Sequence, residues 1–294
     1  MAEFLGYLIP GILVGLTYSL IALGYVIIYK SSGVFNLATG QIAIFGAFVA
    51  WQATTQWHLH IVLAIFVTLV ACAILGAAID RLVVRPLIGQ PLFAMVLATL
   101  GLSVVLDALI VLVWGHNWRT LPQIFPGESF IVWGVGVSIE YLWAGGLALV
   151  MGAILAGIFQ YTKEGLAMRA SADDQLCAQS LGMSVSRVFR FSWIIASITL
   201  GMAGVLLCMI AKLHTSIALI ALKVLTVVLL GGLESVAGAL VAGPLVGAIE
   251  FLAAGYLDPL VGGGLREVIP YVFAILIILF MPYGFFGWKR IERV

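Results

Sequence analysis

The sequence predicts an all-α polytopic membrane protein: a bundle of about eight to nine transmembrane helices plus one cytoplasmic helix, forming a single domain over residues 1–294. Three observations predict it. Of the residues, 63% are hydrophobic and 9% charged, with a mean hydropathy of +1.20. Soluble domains carry about 25% charged residues, and 14 basic plus 13 acidic side chains cannot clothe a soluble body of this size. The apolar residues gather in long runs, and a spanning helix needs about 20 of them. The lysines and arginines crowd between alternate pairs of runs. A soluble enzyme is excluded, and so is a nucleic-acid binder, because the net charge is +1 and no basic stripe exists.

The first run, Phe4–Ile28, has no basic residue ahead of it, the first lysine being Lys30, so it reads as a retained helix rather than a cleaved signal. It carries Gly11, Gly15 and Ser19 at four-residue spacing, a smooth face on which another helix can approach closely. The second run, Ile42–Trp57, begins in Gly33-Val-Phe-Asn36-Leu-Ala-Thr39-Gly-Gln41. The seventh, Ile217–Leu230, ends in Gly-Gly-Leu-Glu-Ser-Val-Ala-Gly over 231–238. Either one is expected to be broken or re-entrant. The other runs are Ile61–Val83, Phe93–Trp114, Tyr141–Tyr161, Phe191–Ile210, Ala239–Leu257 and Ile269–Pro282. Gly231, Ser235, Ala239, Gly243 and Gly247 repeat every four residues and would form a second smooth face if that stretch were helical throughout.

Alternating sides through nine runs places Lys30, Arg81, Arg85, Lys163, Arg169, Arg187, Arg190, Lys289, Arg290 and Arg293 inside. Only Arg119, Lys212 and Arg266 fall outside, with Lys223 within a run. That bias predicts a cytoplasmic C-terminus. The outer loop, about 115–138, carries Pro122, Pro126, Gly127, Trp118 and Trp133, the tryptophans reading as interface anchors. The inner loop, about 162–190, is the one long polar stretch. It reads as a short amphipathic helix over 165–182, with Leu166, Ala170, Asp173, Cys177 and Leu181 on neighbouring turns and Gly182 placed to stop it.

Catalytic motifs are missing: there is no H-E-x-x-H and no G-x-S-x-G. Gly24-Tyr-Val-Ile-Ile-Tyr29-Lys30-Ser31 mimics the end of a phosphate loop, but Tyr29 blocks the backbone approach that such a loop requires. Cys72, Cys177 and Cys208 are scattered, His58 and His60 are a weak pair, and His116 and His214 read as interface residues, so no metal is expected. Intramembrane carboxylates matter more, since a charge in lipid is costly and functional by default. Asp107 lies mid-run, with Ser103 one turn earlier able to offer a hydroxyl. Glu250 reads as near an interface, and Glu234 lies in the glycine-rich break.

Several stretches together resemble the permease subunits of branched-chain amino acid ABC importers. They are Gly15-Leu-Thr-Tyr-Ser-Leu-Ile-Ala-Leu-Gly, Gly33–Gln41, Ala98-Thr-Leu-Gly-Leu-Ser103, Trp114-Gly115, Arg169-Ala-Ser-Ala-Asp-Asp174 continuing to Ala178 and Gly182, Leu230–Gly238, and Pro282-Tyr-Gly-Phe-Phe-Gly287. The resemblance covers essentially the whole chain. Gln41 stands where the family usually has an acidic residue, Glu234 where it has glycine, Asp107 where it has a neutral residue and Ser180 where a bulkier one is common. These departures bear on substrate, because related permeases carry urea, short-chain amides or small organic acids.

The resemblance implies a subunit of the bacterial inner membrane that works with a second permease subunit, two cytoplasmic ATPases that bind the ATP and Mg, and a periplasmic substrate-binding protein. It implies no cofactor in this chain. The 165–182 helix, with Arg169, Asp173, Asp174, Ala178 and Gly182, would be the coupling helix held by an ATPase. Asn36, Thr39, Gln41 and Asp107 are the residues placed to line the substrate path. The alternative of another class is a proton-coupled secondary carrier, which would use intramembrane carboxylates as a relay and would have no use for a helix docked in an ATPase.

Overall fold

The computed structural model describes the backbone of residues 1–122, 129–132, 135–173, 175–180, 182–281 and 284–287. Pro126, Gly127, Trp133, Asp174, Leu181, Pro282, Lys289, Arg290 and Arg293, named above, lie outside the described residues. In lipid every backbone N–H and C=O must be satisfied within the chain, which leaves the helix as the form an apolar run can take. Six helices among the described residues are long and apolar enough to cross a membrane. They are α1 (Ala2–Ser32), α3 (Ile61–Ile79), α4 (Leu92–Trp114), α5 (Ile139–Tyr161), α8 (Val185–Ile210) and α10 (Val236–Tyr256). Between them lie α2 (Thr39–Trp51), the polar α6 (Lys163–Asp173) and α7 (Gln175–Ser180), then α9 (Ile220–Gly231), α11 (Asp258–Val261) and α12 (Leu265–Phe280). A π-helical turn, Asp80–Val84, prolongs α3, and a 3-10 turn, Thr215–Leu219, leads into α9.

Helix α1 is the axis of the bundle, packed by α10, α8 and α5. Its glycines set how close α10 comes. A Cβ on Gly15 would lie 2.6 Å from the Pro244 Cα, and one on Gly11 would lie 3.0 Å from the Ala248 Cα. The contacts Gly11–Gly247 and Gly15–Gly243 run in opposite chain order, so the two helices are antiparallel. One turn further, the Ser19 hydroxyl reaches the carbonyls of Gly15 and Leu240, each at 3.3 Å. Close backbone approach through small residues and an interhelical hydroxyl is how helices associate where lipid removes the hydrophobic driving force. The same device joins α3 to α8, where a Cβ on Gly76 would lie 2.6 Å from the Trp193 carbonyl oxygen.

The stretch from Gly231 to Gly247 is not one helix. Helix α9 ends at Gly231, Gly232 takes φ 96°, and Ser235 caps α10 by accepting from the Gly238 amide at 3.0 Å. The chain reverses there, so Gly231 packs on Gly238 across the turn, whereas Gly243 and Gly247 face α1 and Ala239 is fully buried. The outer loop also departs from an all-α reading. Phe130–Val132 (β1) pairs antiparallel with Val135–Val137 (β2), Phe130 opposite Val137. The segment is β-branched, alternating and too short to span, which suits a hairpin over a helix.

Candidate substrate path and coupling face

The break before α2 is built by local hydrogen bonds. Gly33, at φ 68°, ends α1 by giving its amide to the Tyr29 carbonyl at 2.7 Å. The next turn closes on Asn36, whose Oδ1 accepts from the Ala38 amide at 3.0 Å, while the Thr39 hydroxyl donates to the Asn36 carbonyl at 2.8 Å. Asn36 and Thr39 are buried, Gln41 is half-buried, and the Asn36 Nδ2 is buried with no hydrogen-bond partner among the described residues. From α4, Thr99 ties the break down: its hydroxyl donates to the Phe35 carbonyl at 3.0 Å and accepts from the Leu37 amide at 3.2 Å. Sequence reasoning did not single out Thr99 as a site residue, because its partners lie more than sixty positions away.

Asp107 stands apart from this turn, eight residues further along α4, about 12 Å by helical rise. It is half-buried, and no ion pair among the described residues includes it. Ser103 does not serve it, since that hydroxyl donates to the Leu100 carbonyl at 2.7 Å.

At the end of the bundle where α5 finishes, the described residues of the polar stretch are helical over α6 and α7. Thr162 caps α6 by accepting the Gly165 amide at 3.1 Å, and Gly165 lies against the last turn of α5, where a Cβ would come within 2.7 Å of the Ile158 carbonyl oxygen. The inward face is Gly165, Met168 and Ser171; Leu166 points away and is 59% exposed. Arg169 reaches the Gln160 carbonyl at 3.3 Å and lies over the Phe159 ring, which Lys30 approaches from α1. Asp173 ends α6, Ala178 is buried on α7, and Gly182 turns the chain at φ 83°. An open cleft of about 470 Å³ separates α6 from the start of α8, with Lys163, Glu164, Gly182 and Arg187 on its walls.

Two ion-paired clusters inside the bundle escaped sequence reasoning. Asp80, fully buried, holds Arg85 at 3.0 Å and Arg190 of α8 at 3.8 Å. Glu250 is 1% exposed and pairs with Lys223 at 3.5 Å and Arg266 at 3.1 Å, while Lys223 also holds Glu267 at 2.7 Å. The second cluster joins α9, α10 and α12. Its sequence signals were Lys223 standing inside an apolar run and Glu250 as an intramembrane carboxylate; their pairing across 27 residues is fixed by tertiary packing alone. Near that end, the His214 ring stacks on Trp118 at 4.1 Å and meets His116 edge-on at 4.6 Å. There the histidines pack against aromatic and hydroxyl neighbours, with Thr215 at 3.2 Å from the His116 Nδ1.

Long apolar helices clasped by glycines, a break between α1 and α2 and paired charges among the helices are the build of a polytopic membrane protein. The family described as "Branched-chain amino acid transport system / permease component" matches residues 7–282, and the chain belongs to that family. It is 30% identical to the high-affinity branched-chain amino acid transport system permease protein LivH of Escherichia coli K12, over 99% of this chain and 98% of that protein. It is 28% identical to the permease BraD of Pseudomonas aeruginosa, over 99% and 98% of the two chains. A solved structure, PsaBC from Streptococcus pneumoniae in complex with Fab, aligns over 97% of this chain and 94% of that one, with 13% identity and a TM-score of 0.49, a likeness too distant to build on.

Proposed function

We propose that the chain is the permease subunit of an ATP-driven importer of branched-chain or other hydrophobic amino acids, working in the bacterial inner membrane. The observation that carries this reading is the family match over nearly the whole chain. The chain would act beside a second permease subunit, with two ATPases on the cytoplasmic side supplying ATP and Mg chemistry and a periplasmic binding protein delivering substrate. In this reading α2, α9 and α12 complete the long helices to nine crossings, and the C-terminus is cytoplasmic. The polar stretch over 165–182, with Arg169, Asp173, Asp174, Ala178 and Gly182, would seat on an ATPase. The cleft beside it supports that assignment, because it offers a partner both charge and open apolar surface. Closure of the ATPases would push on α6, which rests on α5 through Gly165 and so can tilt the bundle. Asn36, Thr39 and Gln41, and further along α4 Asp107, supply the polar groups of the path.

The reading is tested by leucine uptake in cells lacking the native system and given this chain with its neighbouring subunit genes. Uptake that follows cellular ATP and is abolished by Gly182→Trp with normal subunit assembly is the expected result. Uptake that follows the proton gradient while ATP is held constant, with no ATPase co-purifying, would instead favour a secondary carrier.

A further inference from the structure

We infer that the charged cluster of Lys223, Glu250, Arg266 and Glu267, with the apolar groove beside it, is a subsite that binds the ammonium and carboxylate of a branched-chain amino acid. This rests on the importer reading and gives it a location.

The cluster needs an explanation beyond stability. Ionisable side chains in membrane helices are rare and mark function by default, and buried ion pairs contribute little net stability against an apolar replacement. Two cations and two carboxylates meet here with no net charge. Their exposures differ. Glu250 and Lys223 are locked in, at 1% and 10% side-chain exposure, whereas Glu267 is 69% exposed on the first turn of α12. Glu267 is therefore the member that can swing away at little cost. Its departure would uncover the Lys223 ammonium, from which it lies 2.7 Å.

An incoming zwitterion can complete that exchange without leaving a charge unpaired. Its carboxylate takes the place of Glu267 on Lys223, and its ammonium pairs with the released Glu267. No bond breaks, no proton moves, and the cluster stays neutral throughout. A substrate with only one of the two charges makes one of the two charge-assisted contacts and forgoes the other, so it binds more weakly.

The side chain then has somewhere to go. Lys223 and Glu267 stand at the edge of a groove of about 350 Å³ between the end of α8, the 3-10 turn, α9 and α12. Its walls include Leu207, Ile217, Ile220 and Leu222, with Tyr271 on the α12 side. That volume lies at the small end of the roughly 300–1,000 Å³ typical of small-molecule sites. Aliphatic walls next to a paired cation and carboxylate are complementary to leucine, isoleucine or valine, and more fully so than to a free acid or an amine.

The test uses membrane vesicles carrying the full chain with its partner subunits and photo-leucine, whose diazirine labels what its side chain touches. Adducts are expected on peptides containing Ile217–Leu222 or Tyr271, suppressed by excess leucine but not by equal 4-methylpentanoate or isopentylamine. Glu267→Gln should lower that labelling about tenfold, the loss of one charge-assisted contact. Lys223→Met should abolish it. If Lys223→Met fails to accumulate, the exposed Glu267→Gln decides. Leucine uptake with no groove adducts, or adducts unchanged in Glu267→Gln, would overturn the subsite while leaving the importer reading intact. Wild-type vesicles that take up no leucine at all would overturn the importer reading and the subsite with it.

Discussion

Helices α1 and α4 look alike in sequence and live in opposite surroundings. The most apolar stretch of α4 has a mean hydropathy of 2.6 and is 17% buried; that of α1 has 2.1 and is 83% buried. Helix α3 sides with α4, at 2.8 and 22%. The more hydrophobic helices are the ones on the outside. Lipid tails are as apolar as leucine, so apolarity gives no reason to go inward. What sorts the helices is whether backbones can meet, which α1 achieves with Gly11, Gly15 and Ser19 against α10. Helix α4 presents Val104, Leu109, Leu112 and Val113 outward instead.

The comparison can be broken or sharpened by matched substitutions, measured as thermal or denaturant stability in detergent alongside the yield of monodisperse protein. The largest effect is expected from Gly15→Leu, since even a Cβ there meets the Gly243 and Pro244 backbone, which cannot yield. No folded protein should be recovered. Gly101→Leu on α4, with nothing within 4 Å, should behave as wild type. Equal recovery of both would end the claim that glycines hold the core.

Leu20→Ala on α1, at a fully buried position, should cost about 2–5 kcal/mol through the cavity it leaves. Its counterpart Leu112→Ala, 82% exposed, should stay within about 0.5 kcal/mol. Comparable losses at the two leucines would mean that α4 is covered in the folded protein. Asp80→Ala removes the buried carboxylate that holds Arg85 and Arg190, themselves 31% and 52% exposed, and should cost about 1.5–3 kcal/mol, the loss of charge-assisted hydrogen bonds. The smallest effect is expected from Asp107→Asn, which keeps shape and removes a charge that no ion pair among the described residues holds. Its stability should match wild type, so a fall in leucine uptake by this variant would place Asp107 on the path; full uptake would take it off.

Much of this architecture was legible because membrane helices announce themselves as runs, and a four-residue glycine spacing is a local signal that α1 and α10 use directly. The breaks at 33–38 and at Gly232 were legible too, from glycines interrupting apolar runs. What the residues could not disclose was pairing. Lys223 and Glu250 meet only because α9 and α10 reverse around Gly232, and Asp80 finds Arg190 only once α3 lies on α8. The β1–β2 hairpin escaped notice because three-residue strands leave too short a pattern. The inward face of α6 was obscured because it depends on Gly165 resting against α5.

The partnership between α1 and α10 also imposes an order on synthesis. Ser19 and Leu240 share a hydrogen bond across 221 residues of chain. At roughly 5–20 residues per second, the first helix is in the membrane for on the order of 10–45 s before the helix that covers it has been made. Throughout that interval its glycine face and its serine hydroxyl have no permanent neighbour. Something in the insertion machinery or the surrounding lipid must shelter α1 while the ribosome works toward the far end of the message. A ribosome that stops after α9 leaves behind a set of inserted helices without the one that closes them, which is the kind of product membrane quality control removes.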